Sequence, residues 1–315
     1  MSHSVQQQAA AGVGTRPAVN RLPERLCRGV ARSFMNGSLA RFSLRRRALG
    51  DRFESQEKYV QDRISNVETY QQLFSEFGAF SGKTVLELGC SSGYLLAALL
   101  ERERFRALGA DTDAQALARG HAEYGGRIVF LPSTPSSIPL PDASVDVIYT
   151  VDTVEHLSQP RDILADCHRI LRPGGMLLSH FTPWFGPWGS HLEDIISFPW
   201  AHVVFSMDTL LNVAADLYDS EDYVPACYWV DSETGARRPN PYVDHERWRE
   251  FLNQITIRQF VRILRTLPFH VVQFRRLGFG GRAYRWARGL RALAQVPLLD
   301  EFLCSAVFCA LQKPR

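Results

Sequence analysis

The sequence contains no Cys-x-x-Cys pair and no long apolar run, and both absences exclude classes of protein. Its six cysteines are scattered, at positions 27, 90, 167, 227, 304 and 309. This spacing fits neither a structural zinc site nor a thioredoxin-like redox motif, and it suits a reducing compartment. No apolar run approaches the roughly 18 residues that a membrane-spanning helix needs. We therefore expect a soluble, cytoplasmic protein.

Histidines are present, but they lack the spacing of metal ligands. Those at positions 180, 191 and 202 are widely separated in sequence, and histidines so scattered are commonly hydrogen-bonded in a core or exposed to solvent. The sequence therefore predicts no metal site.

Acidic residues are nearly missing from the first fifty positions, where Glu24 alone accompanies nine arginines. Residues 1–20 have the alanine- and glutamine-rich composition of a disordered tail. Beyond them, apolar residues alternate with arginines as in an amphipathic surface helix. Residues 1–50 are thus predicted to form a basic, partly disordered arm. Three roles stay open: packing on the rest of the chain, contact with a membrane surface, or targeting to the mitochondrial matrix.

Basic charge elsewhere does not indicate nucleic-acid binding. The net charge is only +3, and no recognisable RNA- or DNA-binding module accompanies the arginines. A nucleic-acid partner is therefore not expected.

The most informative motif lacks two of the three glycines of a dinucleotide-binding turn. Val85, Leu86 and Leu88 form an apolar run typical of a strand covered on both faces, and strong helix formers occupy 94–100. Gly89 and Gly93 permit a tight turn between them. Ser91 replaces the second glycine of Gly-x-Gly-x-x-Gly, and the third is missing too. The segment predicts a nucleotide site but disfavours a nicotinamide oxidoreductase.

A second predicted strand, residues 106–111, ends in an acid about 20 residues beyond that turn. A carboxylate at this position can accept hydrogen bonds from both hydroxyls of a ribose. Asp111 could instead cap the helix predicted over 114–124, a role equally open to Thr112 or Asp113. The spacing favours the ribose role for Asp111.

Residues 83–183 resemble the class I methyltransferases that use S-adenosyl-L-methionine, of the methyltransferase type 11/12 kind. The resemblance rests on four elements in the expected order. They are acid-x-Gly-x-small-x-Gly at 87–93, the acid at 111, Glu-His-Leu at 155–157 after a fourth strand, and Pro-Gly-Gly at 173–175 before a fifth.

The resemblance implies an α/β fold with a Rossmann-like seven-stranded sheet flanked by helices, in which strand seven runs antiparallel beside strand five. We expect a methyltransferase domain over residues 51–315. Its core would comprise about 81–183 and 256–312. A substrate-facing insertion would follow strand five, over about 184–255.

The resemblance also implies the cofactor, S-adenosyl-L-methionine, and the residues that bind it. These are Glu87, Gly89, Cys90, Ser91, Gly93, Asp111, Thr112, Ser133, Thr134 and Val151. Cys90 is interpreted as a lining residue and not as a nucleophile. Many relatives carry an acid after strand three that contacts adenine. Here Ser133 or Thr134, or the backbone, must supply that contact.

Methyl transfer requires a base only when the acceptor must lose a proton. His156 follows strand four, near the transferred methyl group in the family, and it can act as a base or shape the pocket. His191 and Asp152, with His180, are further candidates.

The insertion begins with aromatic residues at 184, 185 and 188 that either line an acceptor pocket or form a small core. Histidine and aromatic residues near the pocket, and the absence of an Asn-Pro-Pro-Tyr signature after strand four, favour methylation at oxygen. The acceptor would be a small molecule or a lipid- or glycan-linked group. Methylation at nitrogen or carbon, and a catalytically silent cofactor-binding protein with an assembly or regulatory role, are the alternatives.

Overall fold

The computed structural model describes residues 21–43, 55, 58, 61, 64–226, 229–231, 234–279, 287 and 289–315. Seven strands form one sheet in this part of the chain. They are β1 (Thr84–Leu88), β2 (Arg106–Asp111), β3 (Ile128–Pro132), β4 (Val145–Val151), β5 (Leu171–Phe181), β6 (His270–Gly278) and β7 (Cys304–Gln312).

Eleven α-helices lie in the described residues. They are α1 (Leu22–Met35), α2 (Val67–Ser75), α3 (Tyr94–Leu100), α4 (Ala114–Tyr124), α5 (Pro160–Ile170), α6 (Ala201–Val204), α7 (Met207–Tyr218), α8 (His245–Phe251), α9 (Ile257–Arg265), α10 (Leu290–Leu293) and α11 (Asp300–Leu303). None of them is long and apolar enough to cross a bilayer.

The strand order in the sheet is β3-β2-β1-β4-β5-β7-β6. Strands β1 to β5 pair in parallel, and β7 pairs antiparallel with both β5 and β6. The predicted α/β fold with an antiparallel seventh strand is therefore confirmed. The chain reverses its direction of progress across the sheet between β1 and β4, which is where open α/β sheets place their ligand crevice.

Burial explains the form of the central strands and of the helices that cover them. Every residue of β4 except Asp146 is buried, as expected for a strand with helices on both faces. On α9 the buried residues are Ile257, Phe260 and Leu264, which recur at helical spacing, and Thr256 caps the helix.

The insertion after β5 builds a hydrophobic core of its own. Its largest fully buried side chains include Trp229 and Trp248. Helix α1 packs into this core through Cys27 and Ala31. Helix α1 of the basic arm thus packs on the insertion, whereas residues 1–20 and 44–50 lie outside the described residues.

Polar contacts also hold α1 on helix α7 of the insertion. Asn212 Nδ2 donates to Glu24 Oε1 at 2.9 Å. Arg28 forms an ion pair with Asp216. The first helix is therefore attached to the insertion by both apolar and polar contacts.

Candidate active site

A cavity of about 650 Å³ lies at the carboxyl ends of β1 to β4. Its strand wall comprises residues from the turns after these strands, at positions 88, 89, 91, 111, 112, 133–135 and 151–153. Its helix wall comprises residues 244, 246, 247, 250 and 251, in and just before α8. A cavity of this size suits a nucleoside-sized ligand.

The turn after β1 requires glycine at position 89. Gly89 has φ +78°, and a Cβ there would lie 2.4 Å from side-chain atoms of Thr153. The amide N–H groups of Gly89 and Cys90 donate to the carbonyl of Ala110 at 2.8 and 3.2 Å. The turn is therefore tied to the end of β2, where Asp111 lies.

Asp111 is buried at the edge of the cavity, with its carboxylate fixed by the backbone. The Ser91 N–H donates to Oδ2 at 2.7 Å, and the Asp113 N–H donates to Oδ1 at 2.9 Å. Burial raises the pKa of the Asp111 carboxyl, and these backbone hydrogen bonds oppose that shift. Each carboxylate oxygen of Asp111 accepts one backbone hydrogen bond and can accept a second hydrogen bond from a ligand.

The alternative role for Asp111, as a helix cap, is filled by its neighbour. Asp113 Oδ1 accepts from the N–H groups of Gln115 and Ala116 at 3.0 and 3.1 Å. Asp113 is thus the N-cap of α4. The Asp111 side chain faces the cavity instead.

The predicted cofactor residues fall into two groups. Those in the cavity lining are Gly89, Ser91, Asp111, Thr112, Ser133, Thr134 and Val151. Glu87, Cys90 and Gly93 lie outside the lining and support it from behind.

Packing explains why these three residues stand where they do. Glu87 and Tyr149 are both buried, and burial together with the negative charge of Glu87 raises the pKa of the Tyr149 hydroxyl. Cys90 packs against Gly109, and a Cβ added at position 109 would lie 2.8 Å from the Sγ of Cys90. Burial raises the pKa of the Cys90 thiol. Gly93 precedes α3 with φ +79°. Cys90 is thus a packing residue beneath the turn.

The two hydroxyl residues after β3 are not equivalent. Thr134 Oγ1 accepts from the Ser137 N–H at 3.0 Å and bonds to Ser137 Oγ at 2.9 Å. The Ser133 N–H donates to the backbone oxygen of Asp111 at 2.9 Å. The Thr134 hydroxyl is therefore committed to its own turn.

The sequence analysis predicted a substrate-facing insertion over about 184–255 but singled out none of the residues of the helix wall. It is held at the end of β4 by Asn253, whose Nδ2 donates to the carbonyls of Val154 and Leu157 at 2.7 and 2.8 Å. The Asn253 N–H also donates to the Glu155 carbonyl at 2.9 Å. Because Asn253 and its partners are almost one hundred residues apart in sequence, no local sequence pattern predicts these hydrogen bonds.

His156 connects the two walls. Its Nδ1 lies 2.9 Å from the carbonyl oxygen of Phe251. A carbonyl can only accept, so Nδ1 carries the hydrogen. Its Nε2 is buried and has no hydrogen-bond partner among the described residues. Burial lowers the pKa of His156 to about 4.

The other predicted catalytic residues divide between two clusters. His191 lies behind His156, with ring centroids 5.0 Å apart, and outside the cavity lining. Its Nε2 is 3.9 Å from Glu155 Oε1. Asp152 lines the cavity, and its Oδ1 is 3.1 Å from His180 Nδ1. Glu155 was not among the catalytic residues predicted from the sequence.

The aromatic residues after β5 pack in small clusters outside the cavity lining. Trp184 packs on His202 with ring centroids 4.8 Å apart, and Phe185 packs on Phe302 at 5.4 Å. Trp188 packs against a small core around Phe279. Of the two roles left open for these aromatics, the structure shows the packing role.

Residues 86–179 match the family described as "Methyltransferase domain". Residues 86–179 of the chain therefore form a methyltransferase domain. Domains of this class use S-adenosyl-L-methionine, and the matched segment spans β1 to β5, the strands that position the strand wall.

Two curated relatives each match about a third of the chain. A "probable S-adenosylmethionine-dependent methyltransferase" of Mycolicibacterium smegmatis is 38% identical over 98 residues, 31% of this chain and 37% of the relative. An "uncharacterized methyltransferase" of Mycobacterium sp. (strain KMS) is 35% identical over 111 residues, 35% of this chain and 43% of the relative. The match covers less than half the length of either relative.

Among solved structures, the chain is similar to an S-adenosylmethionine-dependent methyltransferase from Mesorhizobium loti. The identity is 15% and the TM-score 0.48, over 79% of this chain and 99% of that one.

Proposed function

We propose that this protein transfers a methyl group from S-adenosyl-L-methionine to an oxygen atom of a small-molecule or lipid- or glycan-linked acceptor. The proposal rests chiefly on the fixed carboxylate of Asp111 at the strand wall of the cavity. The methyl group would meet the acceptor between the end of β4 and the helix wall.

The residues of the strand wall fit the cofactor. The two oxygens of Asp111, held by backbone N–H groups, match the two hydroxyl donors of a ribose. The turn at Gly89 and Ser91 brings backbone close to a ligand without side-chain obstruction. Because the Thr134 hydroxyl is bonded to Ser137, we assign the adenine contact to Ser133.

The chain's own task in this reaction is alignment. When bound, the cofactor would supply an electrophilic methyl group on a sulfonium centre. The oxygen–methyl bond would form as the sulfur–methyl bond breaks, S-adenosylhomocysteine would leave, and the hydroxyl proton would pass to the Asp152 carboxylate or to solvent. The protein must orient the acceptor and exclude water. Asp152 lines this part of the cavity, and His156 positions α8 through the carbonyl of Phe251. His156 thus shapes the pocket in this proposal.

Oxygen is favoured by the residues that surround the acceptor end. The segment after β4 reads Asp-Thr-Val-Glu and not Asn-Pro-Pro-Tyr. The lining there includes the carboxylates of Asp152, Asp244, Glu246 and Glu250. Carboxylates accept hydrogen bonds from hydroxyl groups and can orient them.

A labelled-methyl assay tests the proposal. Purified protein is incubated with methyl-labelled cofactor and matched hydroxylated and aminated acceptors, including glycosides and hydroxylated lipids, and products are identified by mass spectrometry. Methyl ethers of the hydroxylated acceptors are expected. Methylated amines or carbon centres would contradict oxygen transfer. Cofactor binding without any turnover would favour a silent cofactor-binding protein.

A further inference from the structure

We propose that Glu155, His156 and His191 bind a divalent transition-metal ion of the zinc type beside the cavity. One ligand atom of each residue lies within 4.8 Å of those of the other two. Glu155 and His156 end the 3₁₀ helix Val154–His156 after β4, and His191 lies in the loop after β5. Two imidazoles and one carboxylate form a donor set that zinc uses in proteins.

Two of the three side chains carry buried atoms that need a partner. Glu155 is 3% exposed, and its Oε1 accepts from the Thr182 N–H at 3.1 Å. Its Oε2 has no hydrogen-bond partner among the described residues, and the same holds for Nε2 of His156. Buried polar atoms without partners are destabilising, and an ion held between them would satisfy both.

The tautomer of His156 suits a metal ligand. Nδ1 donates to the Phe251 carbonyl at 2.9 Å, so the lone pair is on Nε2. A backbone carbonyl on the second ring nitrogen is a typical outer partner of a metal-binding histidine, because it fixes the orientation of the ring.

The three ligand atoms lie within 4.8 Å of one another and would have to move closer together to bind a metal ion. Glu155 Oε1 and His191 Nε2 lie 3.9 Å apart, whereas ligands of a tetrahedral zinc ion are about 3.4 Å apart. His191 is 12% exposed and has φ +54°, a backbone region that a residue with a side chain adopts only when its surroundings enforce it.

The ligand types indicate which ions fit. Mg²⁺ and Ca²⁺ prefer oxygen ligands throughout, so a site with two imidazoles favours zinc or a similar ion. Three protein ligands leave one coordination position open. Because His156 lines the cavity, a bound ion would lie beside it and could lower the pKa of an acceptor hydroxyl. This role rests on the proposed function, whereas metal binding itself does not.

Metal uptake by the full chain tests the site directly. Tag-free, chelator-treated protein is dialysed against Zn²⁺ and, separately, against Co²⁺ as a spectroscopic probe. We expect one equivalent of bound ion and a cobalt spectrum without thiolate charge-transfer bands. Glu155→Gln and His191→Ala should each lower the affinity by more than the roughly 10- to 100-fold that loss of an outer partner costs.

His202→Ala is the matched control for loss of a histidine from the insertion. The Nε2 of His202 lies 2.6 Å from the Trp184 carbonyl oxygen, outside the cluster. This variant should keep the metal affinity of the unsubstituted protein. Circular dichroism establishes that each variant is folded. Metal uptake by the unsubstituted protein tests the site independently of any variant.

Three results would overturn the metal site. The first is a folded, unsubstituted protein that takes up no stoichiometric metal ion. The second is an unchanged metal affinity in folded Glu155→Gln. The third is a cobalt spectrum with thiolate charge-transfer bands, which would indicate cysteine ligands. Because cofactor binding is measured separately, these results would leave the proposed methyl transfer standing.

Discussion

The two walls of the cavity differ in how the chain builds them. The strand wall consists of short turns in which contacts run between neighbouring strands, such as the Ser91 N–H on Asp111. The helix wall consists of side chains on and beside α8, held by contacts between segments almost one hundred residues apart, such as those of Asn253 with Val154 and Leu157.

This difference explains why the two walls place different constraints on the sequence. A turn that must approach a ligand demands particular backbone conformations, and glycine and capping residues record them in the sequence. A helix that presents side chains to an acceptor needs only a stable attachment, so its residues can vary with the acceptor. We therefore expect substitutions in the strand wall to affect cofactor binding, and substitutions at the helix wall to affect the acceptor.

The largest effect is expected at the turn of the strand wall. Gly89→Ala should abolish detectable binding of S-adenosylhomocysteine, because the added Cβ meets Thr153 at 2.4 Å and the left-handed backbone costs about 1–2 kcal/mol. Gly82→Ala isolates the backbone term, since Gly82 has φ +76° but no atom near its Cβ position. Calorimetric titration compares the affinities of the two variants for S-adenosylhomocysteine. Equal affinities would show that the turn at Gly89 does not contact the cofactor.

The next effect is expected from the fixed carboxylate. Asp111→Asn should weaken S-adenosylhomocysteine binding by about 10- to 100-fold, because charged acceptors for ribose hydroxyls and backbone N–H groups are lost. Asp113→Asn is the matched control, since Asp113 caps α4 and lies outside the cavity lining. Equal affinities by calorimetry would remove the ribose assignment.

Loosening the attachment of the helix wall should affect the acceptor and leave cofactor binding unchanged. Asn253→Ala removes two donated hydrogen bonds and the one that its Oδ1 accepts from the Ile255 N–H, so we expect a loss of about 2–3 kcal/mol in the free energy of unfolding. Acceptor KM should rise while S-adenosylhomocysteine affinity stays unchanged. Exposed Gln254, changed to Ala, is the neighbouring control. An equal loss of cofactor affinity in Asn253→Ala would mean that the walls are not separable.

The same distinction explains how far the sequence predicted this molecule. Buried strands, Gly89 and the acid at 111 are local signals with direct physical causes. The resemblance to class I methyltransferases implied the order of the sheet and the other predicted residues of the strand wall. The second role of Asp111 was undecided until the structure showed Asp113 capping α4. The helix wall and the pairing of Glu155 with His191 depend on tertiary contacts, which local spacing does not record.

The smallest effect concerns the outer face of α1, which packs on the insertion. Leu22 and Leu26 are 68% and 56% exposed, so contact of this face with a membrane surface stays a prediction. Leu22→Ser with Leu26→Ser should reduce sedimentation with anionic phosphatidylserine vesicles several-fold. Val224→Ser, at a residue 72% exposed, is the control. Equal sedimentation of the double variant and the unsubstituted protein would contradict membrane contact through α1.

The central claim, that the strand wall binds the methyl-donor cofactor, is tested most directly by calorimetric titration of the unsubstituted protein. S-adenosylhomocysteine and NAD are titrated in parallel under the same conditions. The account predicts saturable one-to-one binding of S-adenosylhomocysteine and no heat from NAD. Binding of NAD alone, or of neither ligand by folded protein, would contradict it.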